Sequence, residues 1–279
     1  KMKDSISIKL ELLDNLHGSD ESASILKVLL LDLLGKEAAF KLENLTTEET
    51  IILDNALQRV LNDEPVQYIT GKSWFYGVEF FVDQRVLIPR PETEELVEIA
   101  IDFAKKYGYK NVLDIGTGSG CIAVTIKKNL PVLGVSAMDV SKEALEVTRI
   151  NSNFHKTEIQ LFEDNILDPK EHFETKFDLI ISNPPYIEHW ESDRMSASTL
   201  RYEPELALFS DNALQFYRAI LEFSKIHLSA NGAILMECNE FFANEILDLA
   251  IHIGYSSAKL QKDIQGKNRM LVIKMSEIN

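Results

Sequence analysis

Two short loops carry the residue types best suited to chemistry. The first is Asp114-Ile115-Gly116-Thr117-Gly118-Ser119-Gly120. Its three glycines let a backbone turn tightly and approach a ligand beside a helix N-terminus. Asp139 follows 23 residues after Gly116, the spacing at which an acid closing the next strand accepts hydrogen bonds from ribose hydroxyls. The second loop is Asn183-Pro184-Pro185-Tyr186. Two successive prolines remove two N–H donors and stiffen the chain, leaving the Asn183 amide oxygen and the carbonyls of Asn183, Pro184 and Pro185 as a cluster of acceptors.

These loops imply a cofactor and a reaction. Gly118-x-Gly120-x-x-Ala123 also fits a dinucleotide pattern loosely, but Asp114, two residues before the first glycine, would repel a pyrophosphate. It suits the ammonium and sulfonium cations of S-adenosylmethionine. A rigid set of acceptors suits a planar NH₂ group, such as a carboxamide or an exocyclic base amine. Accepting both of its N–H bonds aligns the nitrogen with a sulfonium methyl and favours the pyramidal geometry that localises its lone pair. Tyr186 would stack on the planar group or wall the pocket. The plainer alternatives are glycines serving only a tight turn, Asp139 capping the helix near Ser141, and a proline-stiffened turn in which Asn183 bonds its own backbone.

The elements around these loops are legible in the hydrophobic pattern. Up to about Asp63 apolar residues recur at helical spacing, as in Ile25, Leu26, Leu29, Leu30 and Leu33, then Ile51, Ile52, Leu53, Leu57, Val60 and Leu61. Thr46 and Glu49 form a capping-box signature, and Pro65 closes that helix. Trp74 to Ile88 is aromatic and β-branched with Asp83-Gln84 as turn material, which predicts a β-hairpin. Beyond Asn111, strand-like runs at Val112–Ile115, Leu133–Asp139, Ile159–Phe162, Phe177–Ile181 and Ala233–Glu237 alternate with amphipathic segments, as in a parallel sheet wound by helices on both faces. Ala258–Gln261 and Met270–Met275 are separated only by a turn at Gly266 and should be antiparallel. The expected organisation is therefore a helical bundle over residues 1–72, a hairpin linker over 73–90 and an α/β domain over 91–279. The Glu37–Asn44 segment is left unassigned.

Several motifs together give the chain a family likeness. Glu64-Pro65-Val66-Gln67-Tyr68-Ile69-Thr70-Gly71, Phe75-Tyr76-Gly77 with Phe80 and Val82, Leu87-Ile88-Pro89-Arg90-Pro91-Glu92-Thr93-Glu94, the glycine loop, Asn183-Pro184-Pro185-Tyr186-Ile187, Arg201-Tyr202-Glu203-Pro204 and Lys262-Asp263 with Gly266 and Arg269 run from about Glu64 to the C-terminus. In these the chain resembles the HemK-type protein-(glutamine-N5) methyltransferases, which modify the glutamine of the Gly-Gly-Gln motif of peptide chain release factors. The first two motifs are the specific ones, since glycine loops and Asn-Pro-Pro-Tyr also occur in adenine-amine methyltransferases. The resemblance implies a Rossmann-like, seven-stranded class I methyltransferase domain. It implies S-adenosylmethionine bound by Gly116, Thr117, Gly118, Ser119, Gly120, Asp139, and Asp164 or Asn165 near the adenine, with Thr93 and Glu94 near the methionine end. Asn183 would border the cofactor and, with Pro184, Pro185 and Tyr186, would hold the substrate amide. The sequence departs from the family pattern at Asn165, where a larger apolar residue is common, and at Glu237-Cys238-Asn239, which lacks an expected glycine and a downstream glutamine.

Composition narrows the remaining classes. The 279 residues are 45% hydrophobic and 26% charged, with 29 Lys+Arg against 44 Asp+Glu. A formal charge of −15 repels a phosphate backbone unless the basic residues gather on one face. Residues 91–279 alone hold 19 Lys+Arg and 29 Asp+Glu, which disfavours a DNA adenine-N6 methyltransferase. A non-catalytic nucleotide-binding interaction module is the other alternative, and the intact acceptors at Asn183 and Pro184 speak against it. Two cysteines, Cys121 and Cys238, and six scattered histidines provide neither a disulfide framework nor a metal-ligand spacing. The longest apolar stretch, Val28 to Leu34, contains Asp32 and falls short of the ~20 residues of a spanning helix. The start at Lys1-Met2 lacks the apolar core of a signal peptide. A cytoplasmic monomer acting on release factors, without stable nucleic-acid or membrane binding and without a metal, is expected.

Overall fold

The computed structural model describes residues 2–37, 41–170, 173–174, 176–185, 187–188, 195–210, 212 and 214–275. The chain divides into two compact units. The first comprises Lys1–Lys72, Val82–Gln84 and Met195–Tyr202, and the second Ser73–Phe81, Arg85–Arg194 and Glu203–Asn279.

The first unit is built on helices α1 (Met2–His17), α2 (Ser19–Leu34), α3 (Thr47–Leu61) and α4 (Val66–Thr70). Leu42–Asn44 forms a 3₁₀ turn. The Thr46 hydroxyl accepts from the Glu49 N–H at 3.2 Å while the Glu49 carboxylate accepts from the Thr46 N–H at 2.9 Å, so the expected capping box starts α3. Leu13, Leu29, Leu30, Leu53, Leu57 and Val60 fill the core of this unit. Ile51 and Ile52, which share the apolar run, lie on the outer side of α3 and are exposed.

In the second unit, strands β1 (Lys72–Phe75) and β2 (Val78–Phe81) form the hairpin. Its turn falls at Tyr76-Gly77, earlier than Asp83-Gln84, and no strand follows at Val86–Ile88. Both turn residues have positive φ, 50° and 73°, a pairing that matches the twist of a two-residue hairpin and that an aromatic residue rarely adopts. Phe75 and Phe80 are fully buried in the core of the second unit, beside Leu96, Val97 and Ile122. The hairpin is thus part of this core as well as a connection, and truncating either ring to alanine would cost about 3–5 kcal/mol.

Helix α5 (Pro91–Tyr107) begins with proline in its first turn, where no N–H is needed. Strand β3 (Asn111–Ile115), helix α6 (Cys121–Asn129), β4 (Gly134–Asp139), α7 (Lys142–Phe154) and β5 (Gln160–Glu163) follow in alternation, then β6 (Phe177–Ser182). Two-residue strands β7 (Ile187–Glu188) and β8 (Phe209–Ser210) pair in parallel, with short helices α8 (Ala197–Tyr202) and α9 (Glu205–Leu208) between them in sequence. Helix α10 (Gln215–His227), β9 (Leu228–Glu237), α11 (Ala243–Ile253), β10 (Lys259–Lys262) and β11 (Asn268–Lys274) complete the chain.

The central sheet has seven strands in the order β10-β11-β9-β6-β3-β4-β5. From β9 to β5 all neighbours are parallel, and β11 and β10 add antiparallel edges. Alternation along each strand sends Val112, Leu179, Ile181 and Leu235 into one buried cluster with α5 and α6, and Leu113, Ile115, Ile180 and Met236 into another with α10 and α11. Because β3 lies between β4 and β6, the chain winds outward to β5 and then returns to the opposite side. That reversal opens a crevice beyond the carboxyl ends of β3, β4 and β6. Among the described residues no helix is long and apolar enough to cross a membrane.

Candidate active site

The glycine loop leaves the end of β3 and enters α6. Its N–H groups at Gly116 and Thr117 donate to the Met138 carbonyl at 2.8 and 3.1 Å, fixing the loop to the end of β4. Gly116 and Gly118 have φ of 72° and 56°, and a Cβ at either would meet no atom within 4 Å. The open space beside them is a cradle that a ligand can enter. Gly120 differs: a Cβ there would lie 2.7 Å from Cγ2 of Thr148, so this glycine serves close packing against α7. Thr148 and Asn151 grip the loop from α7, the Thr148 hydroxyl donating to the Gly118 carbonyl at 2.9 Å and the Asn151 amide to the Ser119 carbonyl at 2.8 Å. The Asn151 side chain also exchanges two hydrogen bonds with the Phe81 backbone, at 2.7 and 2.9 Å. Nothing local in the sequence marked Thr148 or Asn151.

Three acids stand around this loop. Asp114 is completely buried; its Oδ2 accepts from the Thr117 hydroxyl at 2.7 Å, and its Oδ1 has no hydrogen-bond partner. Burial, opposed by the Thr117 hydroxyl and the Ala123 N–H and reinforced by the charge of Asp139, pushes its pKa up to about 7. An unpartnered carboxylate oxygen in the interior is costly unless something positive answers it. Asp139 accepts from the Gly118 N–H and the Ser141 N–H, both at 2.9 Å. Burial raises its pKa while these backbone bonds lower it. The cap of α7 is Ser141, whose hydroxyl accepts from Ala144, so Asp139 is not needed for that task. Asp164, at the end of β5, is buried and accepts from the Asn165 and Lys170 N–H groups. Asn165 is exposed, and its side chain accepts from the Leu167 N–H, which commits it to a local turn.

The second loop leaves the end of β6. Ser182 donates to the Ile115 carbonyl at 2.7 Å, joining the ends of β6 and β3. Pro184 is buried, and Asn183 and Pro185 are half-buried. The Asn183 amide nitrogen donates to the Thr93 hydroxyl at 3.1 Å, and that hydroxyl donates to Glu237 Oε2 at 2.6 Å. Tyr186 lies outside the described residues. Glu94, expected near the methionine end of the cofactor, accepts from the Tyr76 N–H at 2.8 Å and braces the hairpin turn. Glu203 performs a similar task for the segment before α5, accepting from the Ile88 N–H at 3.2 Å and from Arg90 at 2.5 Å. Neither cysteine is a nucleophile: both are buried, and burial pushes the Cys121 thiol up to about 12. Among the described residues no group of three or more His, Cys, Asp or Glu could hold a metal ion.

Comparisons with known proteins identify the family. Residues 99–216 match the family model described as the methyltransferase small domain, and residues 13–71 match the PrmC N-terminal domain. A release factor glutamine methyltransferase of Flavobacterium psychrophilum is 40% identical over 238 residues, covering 84% of this chain and 82% of that protein. Its counterpart in Bacteroides thetaiotaomicron is 35% identical, covering 93% of this chain and 95% of that one. The chain belongs to the release factor glutamine methyltransferase family. It is an enzyme, and S-adenosylmethionine is its cofactor. The T. thermophilus 16S rRNA N2 G1207 methyltransferase superposes with a TM-score of 0.54 at 16% identity, over 74% of this chain and 50% of that one, and shares the fold alone.

The residues around the crevice have the chemistry that S-adenosylmethionine would need. The open cradle at Gly116 and Gly118 admits a ligand against bare backbone, and the orphaned Asp114 oxygen answers a cationic one. Asp139 and Asp164 close adjacent strands, with Asp139 opposite Glu163 in the β4–β5 register and the Asp164 N–H on the Asp139 carbonyl at 3.1 Å.

Proposed function

We propose that this enzyme methylates the side-chain amide nitrogen of the glutamine in the Gly-Gly-Gln motif of a peptide chain release factor. The observation that carries the reading is the pair of loops at the carboxyl ends of β3 and β6: a ligand cradle with an answering acid beside a rigid cluster of acceptors without donors. When bound, S-adenosylmethionine supplies an electrophilic methyl on a sulfonium centre. Gly116, Thr117, Gly118, Ser119 and Gly120 would hold it in the loop, Asp114 would balance its positive charge, and Asp139 and Asp164 would take its ribose and adenine side.

The chain's own work in the reaction falls to the acceptors. The Asn183 amide oxygen and the carbonyls of Asn183 and Pro184 take the two N–H bonds of the substrate amide. Holding both protons turns the nitrogen lone pair out of conjugation and toward the transferable methyl. Transfer would break the sulfur–methyl bond and leave a neutral thioether; the methylated nitrogen, cationic until one of its protons passes to water, would be stabilised by these acceptors. Pro184 and Pro185 keep the carbonyls in place.

A lone glutamine offers too little surface to distinguish one protein from all others, so selectivity requires contacts remote from the amide. The helical unit over residues 1–72, with a net charge of −5 from its eight basic and thirteen acidic residues, would take this role for a partner with basic patches. Duplex DNA is disfavoured by the negative charge of the catalytic region. The test is transfer of labelled methyl into an intact release factor and into the same factor with glutamate in place of that glutamine. Label should enter only the first; equal labelling of both would refute the assigned acceptor.

A further inference from the structure

We propose that Thr93 and Glu237 are positioning residues that fix which way the Asn183 side-chain amide faces. The inference rests on the reading of Asn183 as an acceptor for the substrate amide. Three elements meet here: Thr93 lies in the first turn of α5, Glu237 closes β9, and Asn183 follows β6. Thr93 and Glu237 are each 2% exposed, so their hydrogen bonds form out of water.

The direction of the chain of bonds follows from proton counting. A carboxylate has no proton to give, so at 2.6 Å the hydroxyl must donate to Glu237. Thr93 has only one O–H, and once it is committed to Glu237 the same oxygen can only accept. The group facing it at 3.1 Å must therefore be the NH₂ end of Asn183. The amide oxygen then lies at the opposite edge of the planar amide, and no donor to it is found among the described residues. An asparagine free to flip would present NH₂ to the substrate half of the time and place two donors face to face. Glu237 thus governs the acceptor through one intermediary without reaching the reacting atoms.

The experiment compares full-length Thr93→Val, Thr93→Ser and Glu237→Gln proteins with wild type, measuring turnover on an intact release factor and S-adenosylmethionine affinity by calorimetry. Thr93→Val should lower turnover about 10–100-fold, the scale of a misplaced catalytic group, a larger factor than any loss of cofactor affinity. Thr93→Ser, which keeps the hydroxyl, should recover turnover to within about threefold of wild type. Glu237→Gln offers Thr93 a donor as well as an acceptor and should fall between them, and it serves as the second variant if Thr93→Val does not fold. Combined with Asn183→Ala, Thr93→Val should slow the enzyme no further, because the group it orients is gone. Parallel loss of cofactor affinity and turnover, a serine variant as slow as valine, or full additivity with Asn183→Ala would each overturn the proposal. A readout independent of turnover is the NH₂ resonance of nitrogen-labelled Asn183: it should move in Thr93→Val and return in Thr93→Ser, and an unmoved resonance overturns the relay. If the wild-type protein fails to methylate a release factor, the proposed function fails while the relay is still decided by this resonance.

Discussion

The glycine loop and the Asn183 loop sit on neighbouring strands, β3 and β6, yet they are built on opposite principles. Around the glycine loop, backbone groups are tied down from outside: Thr148 and Asn151 hold its carbonyls, and the Met138 carbonyl and Asp139 hold its N–H groups. What it offers a ligand is shape, together with the single orphaned oxygen of Asp114. The Asn183 loop offers acceptors whose direction is set by one buried relay. Binding and chemistry therefore reside in different loops, and substitutions should separate them.

The largest expected effect tests that separation. Asn183→Ala should lower turnover about 10²–10³-fold with S-adenosylmethionine affinity nearly unchanged, because the lost acceptor acts mainly as the amide nitrogen pyramidalises. A parallel fall in affinity, measured by calorimetry, would put this loop in the cofactor pocket and erase the distinction. Asp139→Ala should do the reverse, weakening cofactor binding by about 1.5–3 kcal/mol with the fold intact, since Ser141 rather than Asp139 caps α7. Unchanged affinity in the folded variant would reduce Asp139 to a brace for Gly118.

Within the glycine loop, two alanine substitutions sharpen the contrast between cradle and packing. Gly118→Ala meets open space, so its cost to stability is the left-handed φ alone, about 1–2 kcal/mol, and its larger effect should be on cofactor affinity. Gly120→Ala adds a contact at 2.7 Å with Thr148 and should lower the melting temperature more than Gly118→Ala does. The opposite ranking in thermal melts would contradict the assignment of the open space.

The smallest effect is a pH dependence from Asp114. Its folded pKa of about 7 lies above the ordinary 3.8, so the stability this group contributes in the ligand-free protein is fully present below pH 3.8 and is lost as pH rises through about 7. A bound cation favours the ionised form, so S-adenosylmethionine affinity should rise up to about tenfold per pH unit below 7 and level off above it. Calorimetry in buffers of different ionisation enthalpy should show a proton released on binding at pH 6, and Asp114→Asn should abolish it. A release that persists in Asp114→Asn would locate the titration elsewhere.

How much of this was legible in the sequence follows from the range of the interactions. The sheet was readable because each strand is an apolar run a few residues long, and Val112–Ile115 and Ala233–Glu237 fall within β3 and β9. The glycine loop and Asn183 were readable because each is a contiguous motif. The hairpin turn was misplaced because Tyr76 adopts a left-handed φ foreign to aromatic residues, whereas Asp83-Gln84 has ordinary turn chemistry. The relay was missed because Thr93 and Glu237 are 144 residues apart in the chain. One signal was available: Glu237, like Asp139, is an acid closing a strand-like run at the carboxyl edge where ligands bind. Glu94 shows a second role that the motif did not signal, since it accepts from the Tyr76 N–H at the hairpin turn.

The central claim is that the acceptors at Asn183 and Pro184 direct a methyl group onto a glutamine amide nitrogen, and locating that methyl group tests it most directly. Full-length protein is incubated with S-adenosylmethionine labelled in its methyl group and with an intact release factor, and the modified peptide is fragmented in a mass spectrometer. The account predicts one labelled methyl on the side-chain nitrogen of the glutamine in the Gly-Gly-Gln motif. Label on any other residue of the release factor, or none on that glutamine from an enzyme that binds the cofactor, would contradict it.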